Sequence, residues 1–320
     1  MFILLWIEII AACITYGLGF IGNLLSLIIF FSQDEFRNVS TGILFLLMTL
    51  SNTIHLWTLT TEFLAIFNIY AYSNVFFQCR LNYFVQNVSR TMSTYLAIAI
   101  TLDRLIRSEL PMRSRIICTR RNVIKLTLIY LIVFSILYSF WFCPMVTFNP
   151  ITKTCYTGQS SIYSDFITNI FIPTRLIIVC IIPIIIMSLG NIRMLLNIRQ
   201  SRRRVNPRNQ IDMTVVTTNA ALTNERMTPI DRMLFYMMLI SVGAFIITQI
   251  PFHIYTLVRV NSDTLDSYTN LLVRAILLIW SSIYFGIGFY AYCLTSRLFR
   301  EKFVLMSKKL ITCIWRPRPA

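Results

Sequence analysis

Charge is scarce in this chain, and acid most of all. Lysine and arginine total 29 and aspartate and glutamate only 13 among 320 residues, so 13% of the chain is charged. A soluble domain of this size carries about 25%. There are only two histidines, His55 and His253. No spacing of His, Cys or acid reads as a metal site, and no glycine-rich loop reads as a phosphate cradle. With no nucleophile–base constellation either, an enzyme is not expected and no cofactor is implied. Regular apolar–polar alternation is missing too, which argues against a membrane barrel.

Apolar residues are abundant, at 56% of the chain, and mean hydropathy is +0.67. They gather into seven runs, roughly 5–31, 41–67, 79–102, 123–146, 168–195, 233–258 and 271–294. Each reaches the ~20 residues an α-helix needs to span a bilayer. The expected fold is an all-α membrane protein, a seven-transmembrane helix bundle over 1–294 followed by a short amphipathic eighth helix and tail over 295–320. The first run lacks a basic leader and a small-residue cleavage pattern, so it reads as a retained helix and not a signal peptide. With so little chain before it, no large extracellular domain is expected.

Basic residues are unevenly placed. Those that follow odd-numbered runs or precede even-numbered ones, together with the tail, make up 23 of the 29. The positive-inside rule then puts that side in the cytoplasm and the N-terminus outside, as in a multi-pass plasma-membrane protein. A basic chain could also bind nucleic acid, but here topology accounts for the charge.

The third run is the most informative. Arg104 follows Cys79 by 25 positions, or roughly 37 Å of helix, a little more than the ~30 Å hydrocarbon core. One helix can therefore carry Cys79 at one face and Asp103-Arg104 at the other. Cys155 lies in the next outer connection, so Cys79 and Cys155 both face an oxidising compartment and a disulfide is favoured over two free thiols. Cys13, Cys180 and Cys293 read as apolar packing residues. The sequons at Asn38 and Asn87 fall in an inner connection and inside the third run, where neither is expected to carry glycan.

Together these features resemble the rhodopsin-like family of G protein-coupled receptors. The resemblance rests on Gly22-Asn23, on Asp103-Arg104-Leu105 followed by Pro111 and Arg113, on Pro183, on Phe245 and Pro251, and on Tyr292 followed by Phe299-Arg300. It implies an extracellular ligand, a heterotrimeric G protein as partner, and no enzymatic activity. Several positions depart from the family pattern. Asn52 stands where an Asp is usual, which puts sodium modulation in doubt. Gln249 replaces the usual Trp before Pro251. Gly288-Phe289-Tyr290-Ala291-Tyr292 replaces Asn-Pro-x-x-Tyr, so a kink in the seventh helix must come from Gly286 and Gly288. Asn191 stands where a Tyr is usual, and Trp141 lies near the outer end of the fourth run instead of its centre. The ending Phe289-Tyr290-Ala291-Tyr292 is similar to that of some invertebrate neuropeptide receptors, including FMRFamide-type receptors.

The resemblance suggests a switch at the inner face. Asp231 precedes Pro251 by 20 residues, roughly 30 Å of helix, level with Arg104. Arg104 is expected to pair with Asp103 and Asp231 at rest, with Pro251 as hinge and Tyr292 closing the seventh helix. The plainer alternative for Asp231 is a solvated helix-start acid. Segment 201–228 reads as a flexible polar loop. Beyond Tyr292, Leu298, Phe299, Phe303, Met306 and Leu310 repeat at helical spacing among basic residues, as in a helix lying on anionic membrane lipid. Cys313 just past them is a candidate for palmitoylation, or an unmodified thiol.

Ionisable residues within membrane helices are costly and face the interior or water. The outer halves hold Glu62, Arg90, Arg175, His253 and Arg274, with the amides Gln86 and Gln249. These seven are the expected ligand-binding residues, for an extracellular peptide or a small acidic ligand. The excess of arginine favours a carboxylate, while Glu62 could take a ligand cation. Two plainer alternatives stand beside this. Glu62 and Arg90 could form an internal ion pair, and Arg175 and Arg274 could snorkel to the rim. His55 is expected to make a buried hydrogen bond. The rival class is a transporter or channel, which should show repeats, broken paired helices or a ring of pore charges; the runs show none.

Overall fold

The computed structural model describes residues 2–67, 69–149, 154–156, 161–205, 229–261, 267–295 and 297–315, with side chains undescribed at 2–5, 35, 147–149, 154, 156, 161, 198–205, 229–236, 259–261, 267–268, 270, 298 and 309–315. Helix α1 (Phe2–Ser32) leads through α2 (Asp34–Arg37) into α3 (Ser40–Ile66). A π-turn at Phe76–Leu81 opens α4 (Asn82–Glu109). Then come α5 (Pro111–Ile117), α6 (Arg120–Leu137), and a hairpin of β1 (Thr147–Asn149) and β2 (Thr154–Tyr156). The fifth span is continuous through α7 (Ser161–Asp165), α8 (Ile172–Leu176) and α9 (Ile182–Val205), joined by π-turns. The sixth is α10 (Pro229–Asn261), the seventh is α11 (Ser267–Gly286) plus α12 (Gly288–Thr295), and α13 (Arg297–Trp315) completes the bundle. The fold is the expected seven-helix membrane bundle, with the short antiparallel hairpin as its one departure from all-α among the described residues.

Several boundaries move. The fourth helix stops at Leu137 and passes through a 3₁₀ turn at Ser139–Phe142, short of residue 146. The fifth begins seven residues early and runs ten past the apolar stretch, so the polar segment expected as loop from 201 is helical to Val205, and 206–228 lie outside the described residues. Among the described residues, four helices are long and apolar enough to cross a membrane, or five if the bent pair α11 and α12 counts as one span. Helix α6 is only 18 residues long and carries Arg120, Arg121 and Lys125. Helix α4 is rich in buried polar groups because it sits in the middle, against α3, α6, α9 and α10. A central helix needs no apolar outer face.

The outer helices show the reverse pattern. On α1, Ile7, Ile10, Ile14, Leu18 and Ile21 are all about half exposed at three- to four-residue spacing, as suits a face turned to lipid. Cys13 lies on this exposed surface and is not a core residue. The opposite face packs closely on the seventh helix. A Cβ on Gly286 would lie 2.8 Å from the Gly19 Cα, so only glycine allows this approach. Asn23 secures the contact by donating from Nδ2 to the Phe285 carbonyl at 3.0 Å. Directly after it the seventh helix breaks at Ile287 and bends by 45°, the kink expected of Gly286 and Gly288.

The prolines of the fifth span explain its π-turns. Pro173 and Pro183 each lie two residues beyond a π-turn, Phe166–Phe171 and Ile177–Ile181. A proline lacks the N–H of the normal ladder and crowds the carbonyl four residues back. A widened turn relieves that crowding and rotates the helix beyond it.

Candidate functional site

One end of the bundle carries the hairpin and the disulfide. Cys79 and Cys155 are bonded, with Cα atoms 5.5 Å apart. Cys155 sits on β2 opposite Phe148. Arg80, next to Cys79, donates from Nη2 to the Pro144 carbonyl at 2.7 Å and from Nε to that of Val146 at 3.3 Å. The chain entering the hairpin is thus tied to the head of α4. Trp141 is buried against Tyr83 and Phe171 just below.

Below this lies a polar chamber. Glu62 of α3 forms its ion pair with Arg274 of α11, and Gln86 Nε2 donates to the same carboxylate at 2.6 Å. Arg274 also reaches the Tyr83 hydroxyl at 3.4 Å. The expected Glu62–Arg90 pair is therefore replaced by a Glu62–Arg274 pair, and Arg274 turns inward instead of snorkelling to the rim. Arg90, only 3% exposed, instead donates from Nε to His55 Nε2 at 3.2 Å and lies 5.0 Å from the Phe252 ring centroid. Because His55 Nε2 accepts, its proton sits on Nδ1, facing Ser89 Oγ at 3.3 Å. The expected buried hydrogen bond of His55 is thus made on both ring nitrogens.

Arg175 enters from α8, the single turn between the two π-turns. It lies 5.6 Å from the Phe171 ring and reaches Thr256 Oγ1 at 3.5 Å, while its buried Nε has no partner. It too points inward. His253 is buried with Nε2 unpartnered. Gln249 donates to the Ser281 carbonyl at 2.8 Å and leaves its own Oε1 without a donor. Of the seven expected pocket residues, Glu62, Gln86 and Arg274 are joined directly, Arg90 bonds to His55 beside them, Arg175 reaches α10 at Thr256, and Gln249 and His253 are buried on that same helix. Phe252, Tyr83, Thr256 and His55 join these contacts as well. Their polar or aromatic character is ordinary in a sequence, so only the cross-helix packing marks them. A separate apolar groove of about 460 Å³ opens on the outer flank between α4 and α9, lined by Leu102, Ile186, Leu189 and Gly190 among others.

At the other end, Asp103 is buried and held by Ser40 Oγ at 2.6 Å, by Thr41 Oγ1, and by Arg107 Nε at 3.1 Å. The ion pair of Asp103 is with Arg107, one turn on, and not with Arg104. Arg107 lies at i+4 from Asp103, a spacing that marks it in the sequence. Arg107 also reaches Ser40 Oγ at 2.7 Å and the Cys118 carbonyl at 3.3 Å. Arg104 is itself buried. The side chain of Asp231, its expected partner, lies outside the described residues, as does that of Cys313.

Two polar contacts brace the helices between these ends. Pro251 has no N–H, which frees the Ile247 carbonyl four residues back. Trp280 of α11 takes that carbonyl with Nε1 at 3.0 Å. Ser93 donates to Asn52, the amide that departs from the usual acid of the resembled family. Tyr292 packs edge-on to Phe30, Phe45 and Phe299, joining α1, α3, α12 and α13. Arg300 donates to the Cys293 and Leu294 carbonyls at 2.9 and 3.1 Å, capping the end of α12.

A bundle of seven membrane helices, a disulfide-anchored hairpin over a buried polar chamber and an Asp-Arg pair at the far end define a seven-transmembrane receptor. The sequence profile described as 7 transmembrane receptor (rhodopsin family) matches residues 22–285, most of the chain. The protein belongs to the rhodopsin family of seven-transmembrane receptors. No curated protein matches the chain.

Proposed function

We propose that this protein is a plasma-membrane receptor that takes an extracellular ligand, a neuropeptide in the first instance, and activates a heterotrimeric G protein. The N-terminus and the hairpin lie outside, and the basic end and C-terminus lie in the cytoplasm. The observation that carries this reading is the buried polar chamber. Glu62, Gln86 and Arg274 are linked across three helices, Arg90 bonds to His55, and Arg175 reaches α10 at Thr256; these contacts support reading the seven residues, with Gln249 and His253, as one ligand site on the side of the Cys79–Cys155 disulfide. Such groups inside a membrane bundle are functional by default.

Ligand entry shifts the bundle between two packed arrangements. Arg104 engages Asp231 at rest, and movement of α10 about Pro251 releases it and opens a groove for the G protein. Tyr292, held among the rings of Phe30, Phe45 and Phe299, keeps the lower seventh helix and α13 together through the shift. Helix α13 lies on the inner leaflet, with palmitate on Cys313 as a second anchor.

The test is a panel of peptides and metabolites applied to cells expressing the receptor with a promiscuous G protein, with Arg104→Ala alongside. Ligand-dependent nucleotide exchange that Arg104→Ala abolishes at equal surface expression is the expected outcome. Solute flux in proteoliposomes without nucleotide exchange would overturn the reading in favour of a transporter.

A further inference from the structure

Among the described residues, three guanidiniums, Arg90, Arg175 and Arg274, stand with one carboxylate, Glu62, in this cluster. That carboxylate has Arg274 on one oxygen and Gln86 on the other. Its charge is already matched by Arg274. Among the described residues Arg90 and Arg175 form no ion pair, and both meet the same stretch of α10, Arg90 at the Phe252 ring and Arg175 at Thr256 four residues on. The rings of Phe252 and Phe171 offset part of their cost, and His55 and Thr256 take one N–H each. None of these neutralises the charge. A buried charge without a counter-ion is unfavourable.

The orphaned donors point the same way. Arg175 Nε is buried without an acceptor. His253 Nε2 is buried and unpartnered, and His253 lies within electrostatic reach of both arginines. Glu8 also has an unpartnered carboxylate oxygen, but it lies on α1 and forms no ion pair among the described residues. Planar guanidinium forks beside an imidazole and two aromatic walls form a receptor for a planar anion.

We infer that Arg90, Arg175 and His253 form an anion cradle that seats a carboxylate of the ligand, with Phe252 and Phe171 walling the group attached to it. The inference rests on the receptor reading above and names the chemistry of its ligand: an acid, not an amine and not a peptide whose anchoring group is cationic. The Glu62–Arg274 pair is then an internal brace beside the cradle. The carboxylate supplies the missing charge, so the empty receptor is held at a cost that the ligand relieves.

Thermal unfolding of the purified full-length receptor in detergent tests this at constant ionic strength, with benzoate, hexanoate and succinate as probes and their amides as controls. At least one acid is expected to raise the unfolding midpoint with saturation, while its amide leaves it unchanged. Arg175→Gln is expected to weaken that acid at least tenfold without lowering the midpoint of the empty receptor. Should Arg175→Gln fail to fold, Arg175→Lys, which keeps the charge but loses the fork, is expected to show a weaker response of the same sign. Arg193→Gln, on the outer flank, is expected to respond like the parent. Amides matching acids throughout, or an acid response that persists in Arg175→Gln, would overturn the cradle. Nucleotide exchange separates the two readings. Ligand-driven exchange by a receptor indifferent to acids removes only the cradle, and acid binding that never drives exchange removes only the receptor reading.

Discussion

Glu62 shows how a single residue's role depends on its partner. Taken alone it is a candidate for either a ligand cation or a neighbouring arginine. In the structure it pairs with Arg274 across α3 and α11 and bonds to Gln86, and its ion pair is not with Arg90. Removing one member of a buried pair strands the other, at a cost of about 3–5 kcal/mol. Glu62→Gln and Arg274→Gln are each expected to lower the unfolding midpoint of the purified receptor. The exchange Glu62→Arg with Arg274→Glu is expected to recover part of that loss, which a Glu62/Arg90 exchange would not. Equal recovery by both exchanges would remove the pairing from the explanation. The same lesson holds at Asp103. Its neighbour Arg104 is the obvious partner in sequence, but Arg107, one helical turn on, takes the carboxylate. Side chains one residue apart on a helix diverge, while those four apart meet.

Among the elements, α10 and α11 form the most informative joint. Pro251 opens the ladder of α10, and the freed Ile247 carbonyl is taken by Trp280 of the neighbouring helix. A cross-helix hydrogen bond therefore braces α10 at its proline. One such bond contributes about 0.5–1.5 kcal/mol, enough to change a two-state ratio several-fold. Trp280→Phe keeps the ring and deletes the donor. It is expected to raise ligand-free nucleotide exchange about two- to tenfold at equal surface expression, and unchanged basal exchange would mean that the bond does not restrain the switch. The fifth span shows a related device. Its two prolines are absorbed by π-turns, and the single regular turn between them aims Arg175 into the chamber. A regular helical wheel drawn through 168–195 misplaces this residue because each wide turn shifts the phase.

At the scale of the whole molecule, the disulfide joins the central helix to the hairpin over a separation of 76 residues. In the chain-entropy account a loop of that size is worth about 4 kcal/mol, less where membrane spans already confine the unfolded chain. Cys79→Ser and Cys155→Ser are expected to lower surface expression and the unfolding midpoint alike, and the double variant to be no worse than either single. Additive losses, measured by surface labelling and thermal unfolding, would show that the two thiols act separately. The bundle itself was legible from the seven apolar runs, and so was the pairing of Cys79 with Cys155, because chain topology puts both on one side. Less legible was the fourth helix, whose apolar run continues past Leu137 into a 3₁₀ turn and the hairpin. Hydropathy does not register where a backbone stops being helical.

The sequence by itself determined that this chain crosses a membrane as a helical bundle, which end is basic, and which polar residues are buried in it. Those properties follow from transfer free energy and helix length, which are local and roughly additive. Only the tertiary structure decided who pairs with whom: Glu62 with Arg274, Arg90 with His55, Asp103 with Arg107, Trp280 with the carbonyl that Pro251 leaves free. Pairing depends on the phase of each helix and on its bends, and π-turns, prolines and a 45° break at Ile287 reset that phase. That Arg90 and Arg175 form no ion pair among the described residues appears only after these partners are assigned.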